Sequence, residues 1–461
     1  MLGTSLSKLI EMVKNKEVST QEVYDYFLKR SKKYNPTLNV YLSFINNNDK
    51  TAIDGQLSGL PIAIKDNFCT KGNVTTASSK VLEHYSSHYE STVTDKLLKA
   101  GAKIIGKTNM DAWAHGSSTE TSDFGPTKNP WDIERAPGGS SGGSAAAVSA
   151  YLAPCAIGSE TAGSIRQPAS WCGIVGLKPT YGRVSRYGVI AMGSSFDCPG
   201  PMTLTVEDAA LLLEIIAGKD QFDATTSDEP VPKYSKMINE SRPLTIGIPE
   251  EYMKDLSLDV TMSLEKSFKI LEKMGHKLKK VSLLDPKYSI SVYTILQRAE
   301  VSSNLARFDG IRYGNDRSFF AKEAKRRMML GAYTLSHGYY DAYYRKAQKV
   351  KTIIINDLKR VFSDVDIIAA SPTPITAIKL GEFEKYPFFG ETMDVLNEAA
   401  AVAGTPAISV PCGFDKLGLP IGIQFMGNYN DEQTLLALAN QYEKETDFFG
   451  VIKQGVSLYK D

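Results

Sequence analysis

The sequence predicts an α/β protein, because helical and strand patterns alternate along a chain of ordinary globular composition. The 461 residues are 42% hydrophobic and 23% charged, which is enough apolar material for a large core. A helical pattern over residues 92–100 ends at Gly101, and the apolar pair Ile104 and Ile105 follows it. This step from a helix to a strand is the unit that α/β folds repeat.

The first elements predict two helices and then a strand that carries a lysine. Apolar residues over 6–13 have the spacing of one helix face, and Ser19 with Glu22 forms a capping box that begins a second helix over 20–33. The apolar run 60–65 predicts a buried strand that ends at Lys65. The carboxyl ends of strands are where α/β sheets place their sites.

The rest of the chain continues the alternation. A helix of small residues is predicted over 144–151, between two glycine-rich turns, and the polar segment 218–243 predicts a loop between two halves of the fold. Beyond this loop the patterns predict strands over 244–248, 366–370, 407–410 and 421–425, and helices over 259–274 and 339–362.

The charge balance gives no chain-wide attraction to nucleic acid or to an anionic membrane. Lysine and arginine number 53 against 52 aspartate and glutamate residues, for a net charge of +1. We therefore expect any nucleic acid near this protein to be held by another chain.

The cysteines and histidines predict neither a disulfide framework nor a metal site. There are five of each, without a CxxC pair or an HExxH motif, and the cysteines are Cys69, Cys155, Cys172, Cys198 and Cys412. No run approaches the roughly 18 apolar residues of a membrane span, and the chain opens without an apolar signal core. We expect a protein of the cytoplasm, bacterial rather than organellar, because no transit segment precedes the first helix.

The residues that could carry chemistry are two serines on glycine-rich turns and one lysine. Ser140 lies in the run 138–144, Gly-Gly-Ser-Ser-Gly-Gly-Ser, and Ser164 follows it by twenty-four positions. A serine becomes a nucleophile when a base takes its proton, and a buried lysine can be that base because burial disfavours its charged form. Backbone N–H groups of the second turn, Thr161, Ala162, Gly163 and Ser164, could bind the oxyanion. Each feature alone is more often a loop or a solvated charge, so the hypothesis depends on their joint occurrence.

These residues, together with the blocks 60–66 and 129–201, resemble the amidase-signature family, and the resemblance covers most of the chain. It implies that Ser164 is the nucleophile, that Ser140 relays the proton and that Lys65 accepts it. It also implies a single domain over 1–461, with a large mixed β-sheet between layers of α-helices. In that domain the signature core covers about 55–215, and the half 244–461 completes the sheet and the substrate pocket.

Two departures from the family pattern lie in the second turn. The chain has Glu160 and Ala162 where the family usually has aspartate and glycine. An alanine is strained if this position needs a positive φ, and costs nothing otherwise.

Within the family, the sequence is similar to the A subunits of glutamyl-tRNA(Gln) and aspartyl-tRNA(Asn) amidotransferases, through the blocks 116–122, 129–132, 178–188 and 338–344. This similarity implies hydrolysis of glutamine, with ammonia passed to a partner, the B subunit, while a small C subunit joins the two. ATP and Mg²⁺ would act on the partner, which would also hold Glu-tRNA(Gln), and this chain would need no cofactor. By motif position, the α-carboxylate and α-ammonium of glutamine would meet Arg327 and Asp394, with Tyr293 a weaker third.

Other readings remain open at this point. Residues 101–108 match the phosphate-loop pattern GxxxxGK[ST], although a helix rather than a strand precedes them. Residues 138–142 match the GxSxG nucleophile elbow of the α/β-hydrolases, whose triad needs a histidine downstream of the serine. The downstream histidines His276 and His337 are predicted to be ordinary surface or core residues. Only His115, which precedes the serine, is expected near the site. A stand-alone amidase for another small amide is the nearer alternative. A non-catalytic assembly subunit is disfavoured, because Lys65 and both serines are present.

Overall fold

A computed structural model of the chain describes residues 1–45, 55–240, 242–386 and 388–450. Their strands are β1 (Tyr41–Phe44), β2 (Pro61–Lys65), β3 (Lys103–Thr108), β4 (Cys155–Glu160), β5 (Val175–Lys178), β6 (Cys198–Thr203), β7 (Thr245–Pro249), β8 (Lys277–Val281), β9 (Ile367–Ala370), β10 (Ala407–Phe414) and β11 (Pro420–Gly427). They form one sheet in the order β1-β3-β2-β4-β6-β5-β10-β11-β9-β7-β8.

The helices alternate with these strands as the sequence predicts. They are α1 (Leu6–Lys14), α2 (Thr20–Leu38), α3 (Thr92–Lys99), α4 (Gly142–Ser149), α5 (Arg166–Cys172), α6 (Val206–Ile216), α7 (Tyr234–Met237), α8 (Leu258–Lys273), α9 (Pro286–Asn304), α10 (Lys322–Leu335), α11 (Lys346–Phe362), α12 (Phe389–Asp394), α13 (Glu398–Ala403) and α14 (Glu432–Thr446).

The sheet is mixed, which confirms the predicted fold class. Strand β2 runs parallel to both β3 and β4, and β7 runs parallel to β8 and β9. The remaining pairs, from β4 through β6, β5, β10 and β11 to β9, are antiparallel, as is the pair of β1 with β3.

Helices cover both faces of the sheet, because successive strand residues enter two different hydrophobic cores. In β9, Ile367 and Ala369 belong to one core, and Ile368 and Ala370 belong to the other. The first core contains apolar residues of α1, α2, α6 and α14, and the second contains those of α9, α11 and α13. Burial on both faces explains why interior strands such as β2 and β9 are short, fully buried runs without polar alternation, whereas the edge strand β8 carries three lysines.

The predicted local elements are present, with some shifted ends. The Ser19–Glu22 capping box begins α2, which continues beyond the predicted end to Leu38. The small-residue helix α4 begins at Gly142, two positions earlier than predicted, and ends at Ser149 because Tyr151 has a positive φ of 56°. The segment 218–243 is largely irregular in its described part, apart from the short helix α7.

The phosphate-loop reading of residues 101–108 is wrong, because these residues form a turn and strand β3. The side chain of Lys107 is fully buried, and its Nζ lies 3.4 Å from a carboxylate oxygen of Asp66. The same Nζ donates to the carbonyl of Phe68 at 2.6 Å. A lysine engaged in this way inside the sheet holds neighbouring loops together and has no access to a nucleotide.

Candidate active site

Lys65 stands at the carboxyl end of β2, between the parallel strands β3 and β4, and is fully buried. Its ammonium nitrogen donates to Oγ of Ser140 at 2.8 Å and to the carbonyl of Ser159 at 2.9 Å. Burial lowers the pKa of Lys65 to about 7, against the opposing effect of nearby carboxylates such as Asp111 and Asp197. A substantial fraction of this lysine is therefore a neutral amine near pH 7, which can accept a proton from Ser140.

Ser140 is presented by a tight turn before α4. The Gly139–Ser140 peptide bond is cis, and the amide of Gly139 donates to Oε1 of Gln167 at 2.8 Å. A Cβ on Gly139 would lie 2.0 Å from Oδ2 of Asp111, so only glycine fits against this carboxylate. The Asp111 carboxylate is fixed in turn by the amide of Thr119 at 2.9 Å and by the hydroxyl of Thr121 at 2.9 Å.

Ser164 lies in the turn between the end of β4 at Glu160 and the start of α5 at Arg166. The amide of Ser141 donates to the carbonyl of Ser164 at 3.2 Å, which joins the two serine turns directly. The two glycine-rich segments, separated by a helix and a strand in the chain, thus meet at one place beside Lys65.

The turn 161–164 has the shape of an anion-binding loop. A carboxylate oxygen of Glu160 accepts from the amides of Ile165 at 3.1 Å and Arg166 at 3.2 Å. The preceding amides, those of Ala162, Gly163 and Ser164, have no acceptor among the described residues. N–H groups without acceptors beside a serine hydroxyl could stabilise an oxyanion.

The two departures from the family pattern are accommodated without strain. Ala162 does not have a positive φ, so an alanine at this position introduces no backbone strain. Glu160 is fully buried and forms an ion pair with Arg166, whose Nε lies 3.0 Å from the carboxylate. The longer glutamate side chain therefore completes a hydrogen-bonded support under the turn.

Thr161 is held by a carboxyl group that the sequence reasoning did not identify. Its hydroxyl donates to Asp197 at 2.9 Å, and Asp197 also accepts from the amides of Met192 at 2.9 Å and Gly193 at 3.1 Å. Burial raises the pKa of Asp197 to about 6. No local motif marks Asp197, because its role comes from a contact across thirty-six positions of the chain.

A narrow cleft connects Ser164 to Arg327, Asp394 and Tyr293, the three residues assigned by motif position to recognition of the substrate. Arg327 is buried, although its place in the basic run Lys325-Arg326-Arg327 is typical of a solvated helix face. Its Nε donates to Glu323 at 2.6 Å, and its Nη1 lies 3.3 Å from Oε1 of Gln297.

Asp394 lies directly against the Ser164 turn. One of its oxygens accepts from the hydroxyl of Ser117 at 2.9 Å, and a Cβ on Gly163 would lie 2.2 Å from the other. Burial raises the pKa of Asp394 to about 8, and burial also raises the pKa of Tyr293 well above its usual value. Ser117 lies in the block 116–122, one of the segments by which the sequence resembles the A subunits. That resemblance is the one local feature of the sequence that could have identified Ser117 as a site residue.

The cleft opens into a larger cavity of about 630 Å³. The aromatic residues that line the cavity are Phe383, Tyr386, Phe388 and Phe389. Its charged lining residues include Lys322, Glu323, Arg326 and Glu384. His115 lines this outer cavity and not the cleft, and burial holds its pKa well below the usual range.

The nucleophile-elbow reading has no support in the described structure. The segment before Ser140 contains isolated bridges at Asn129 and Arg135 but no strand. The Nδ1 atom of His276 accepts from the amide of Leu244, next to β7, and does not line the cleft. The titratable side chain in contact with Ser140 is that of Lys65.

The described residues offer neither a metal site nor a membrane span. No group of three or more histidine, cysteine, aspartate and glutamate residues is arranged to hold a metal ion. None of the described helices combines the length and the apolar character that crossing a membrane requires.

Comparisons with known proteins agree along nearly the whole chain. The family model described as Amidase matches residues 22–436. A protein of Halothermothrix orenii, named as the A subunit of glutamyl-tRNA(Gln) amidotransferase, is 47% identical, over 95% of this chain and 96% of its own length. The crystal structure of a protein with that name from Thermotoga maritima is 42% identical, with a TM-score of 0.86 over 96% of this chain and 94% of its own. A peptide amidase of Stenotrophomonas maltophilia is 26% identical, with a TM-score of 0.81 over 96% of this chain and 97% of its own.

Proposed function

This chain belongs to the amidase family, and we propose that it is the glutamine-hydrolysing subunit of a tRNA-dependent amidotransferase. The observation that carries the proposal is one cleft that joins Ser164 to a buried arginine and a buried carboxyl group. The relatives named as A subunits of glutamyl-tRNA(Gln) amidotransferase support it over nearly their full length.

The cleft suits glutamine because it offers complementary groups at both ends. A free amino acid presents an α-carboxylate and an α-ammonium, and the guanidinium of Arg327 and the carboxyl of Asp394 are their natural partners. With these groups engaged, the side-chain amide of glutamine would extend toward Ser164.

The reaction begins at Oγ of Ser164, which attacks the amide carbon of glutamine. The hydroxyl proton passes to Ser140 while Ser140 gives its own proton to the neutral amine of Lys65, 2.8 Å away. The oxyanion receives hydrogen bonds from the amides of 161–164. Collapse of this intermediate breaks the carbon–nitrogen bond, and the protonated Lys65 returns its proton through Ser140 to the departing ammonia. Water then hydrolyses the γ-glutamyl ester on Ser164 to glutamate.

The released ammonia would serve a reaction on another protein chain. We propose that a partner, the B subunit, uses ATP and Mg²⁺ to activate the carboxylate of Glu-tRNA(Gln), and that a small C subunit joins the two chains. The near-neutral charge of this chain fits a division of labour in which the tRNA is bound by the partner, in the cytoplasm.

A stand-alone amidase is the second candidate, and the structural likeness to a peptide amidase favours it. Such an enzyme would release ammonia from amides without help from another chain. The buried carboxyl group of Asp394 at the far end of the cleft argues for a substrate that carries a cationic group instead, because a neutral amide would leave its Oδ1 atom without a partner.

The decisive experiment measures ammonia release from glutamine by the purified chain. It is done with the chain alone and after co-expression with candidate B and C subunits, with ATP and glutamyl-tRNA present and with Ser164→Ala as control. We expect release that requires Ser164 and rises with the partners and the tRNA. Cleavage of other amides that requires Ser164, without glutamine turnover under either condition, would instead establish a stand-alone amidase.

A further inference from the structure

The substrate cleft contains a second buried carboxyl group, Glu398, that has no assigned partner. Glu398 is the first residue of α13, is 0% exposed and lines the cleft together with Ser164 and Asp394. Neither of its carboxylate oxygens has a hydrogen-bond partner in the described part of the chain, and the same is true of Oδ1 of Asp394. Buried polar atoms without partners in a cleft are expected to find them in a ligand.

The cations near Glu398 are already engaged by other carboxylates. Arg298 forms an ion pair with Glu391, and Arg327 is bound to Glu323 at 2.6 Å. Asp394 and Glu398 are therefore two carboxyl groups without a matching positive charge among the described residues that line the cleft. Their complement is a cationic group on the ligand.

We propose that Glu398 is a specificity-determining residue that binds the α-ammonium of the substrate together with Asp394. This inference rests on the proposed function, since it concerns the same cleft. Glu398 and Asp394 would distinguish an amide that carries an ammonium group from a neutral or purely anionic amide. The substrate class it selects is an amide that carries a primary ammonium several bonds away from the scissile carbon.

The surroundings of Glu398 favour its neutral form while the cleft is empty. Burial raises its pKa well above the usual range, with Asp394 and Glu391 adding to the rise and Arg298 opposing it. Tyr293 on α9 and Tyr252 also face this carboxyl, whereas α11 packs on α13 through apolar residues, Ile354, Leu358 and Val361. A ligand ammonium favours the ionised form, so binding should release a proton and strengthen as the pH rises.

The test compares two ligands that differ only in the α-ammonium: L-glutamine, and glutaramate, in which hydrogen replaces that group. Their dissociation constants are measured by calorimetry near pH 7, with the chain co-purified with its partner subunits and carrying Ser164→Ala so that neither ligand is consumed. Glu398→Gln is then added, because glutamine has the shape and hydrogen-bonding groups of a protonated glutamate but cannot become charged.

We expect Glu398→Gln to weaken binding of L-glutamine by about tenfold or more and to change binding of glutaramate by less than about threefold. Glu443→Gln is the matched control, since Glu443 is another carboxyl whose pKa burial raises to about 8, but it accepts from the amide of Val206 and packs away from the cleft. That control should leave both affinities unchanged.

Three results would overturn the inference: no effect of Glu398→Gln, equal effects on the two ligands, or no preference for L-glutamine before Glu398 is changed. If Glu398→Gln does not fold, the Ser164→Ala protein is titrated with both ligands from about pH 6 to 8.5. The preference for L-glutamine should grow with pH, and a flat preference would also overturn the inference. Selective binding without ammonia release by the unsubstituted complex would remove the proposed function and leave this inference standing.

Discussion

The two ends of the cleft are built on opposite principles. At the reaction end, Lys65 and Ser140 contact each other, and the turns that carry Ser140 and Ser164 are fixed by hydrogen bonds to Gln167 and Glu160. At the recognition end, contributed by α9, α10, α12 and α13, several buried polar atoms have no partner among the described residues. The first end is organised in the absence of substrate, whereas in the proposed function the second end would be completed by the substrate.

The difference predicts which end of the cleft affects kcat and which affects KM. Fixed groups at the reaction end need no rearrangement when charge develops on the oxyanion, so they should act mainly on kcat. The groups at the recognition end would contact the bound substrate in the proposed function, so they should act mainly on KM. Four substitutions or conditions test this division.

The largest effect is expected from Ser164→Ala, which removes the proposed nucleophile. We expect kcat for glutamine to fall by at least about 1,000-fold with little change in glutamine affinity. Ammonia release and calorimetric binding measure the two quantities. Ser149→Ala, at a buried serine of α4 that donates to Cys172, is the control and should stay near the unsubstituted rate. A Ser164→Ala protein with substantial turnover would assign the chemistry to another residue.

Gly163→Ala should disturb the contact between the Ser164 turn at the reaction end and Asp394 at the recognition end. The added Cβ would lie 2.2 Å from Oδ1 of Asp394 and 2.7 Å from Nδ2 of Asn397, so either the Ser164 turn or the carboxyl must move. We expect kcat/KM to fall by about 100-fold, the scale of an ångström-size misplacement. Ala162→Gly in the same turn is the control, with a change below about threefold because Ala162 is unstrained. Equal kinetics for Gly163→Ala and the unsubstituted enzyme would contradict the described contact.

The reaction end should also lose activity in acid. Lys65 accepts a proton only as a neutral amine, and its pKa is lowered to about 7 by burial. Below that pH the charged form dominates, so kcat should fall about tenfold for each pH unit and reach a plateau above it. Initial rates at saturating glutamine give this profile, with circular dichroism to establish that the protein stays folded. A kcat that is constant down to pH 5 would exclude Lys65 as the base.

The smallest of these effects is expected at the recognition end, from Arg327→Lys. Lysine keeps the charge but loses the planar guanidinium that can hold a carboxylate with two parallel hydrogen bonds. We expect KM for glutamine to rise by about five- to tenfold with kcat nearly constant. Arg326→Lys is the control, since the Arg326 side chain is 45% exposed and pairs with the same Glu323. A fall in kcat without a change in KM would reverse the assignment of the two ends.

The reaction end could be identified from the sequence because its groups lie in short local patterns. A strand that ends at Lys65 and glycine-rich turns around Ser140 and Ser164 are decided by residues that are neighbours in the chain. The alternation of helices and strands, and with it the fold class, follows from the same local periodicity.

The recognition end was decided by tertiary structure. Ser117 meets Asp394 across 277 positions, and such a contact leaves no trace in local spacing. The burial of Arg327 and the lack of a partner for Glu398 likewise depend on how α9 to α13 pack over the sheet. The physical reason is that local patterns fix backbone conformation, whereas the partners and charge state of a side chain depend on whatever the folded chain brings against it.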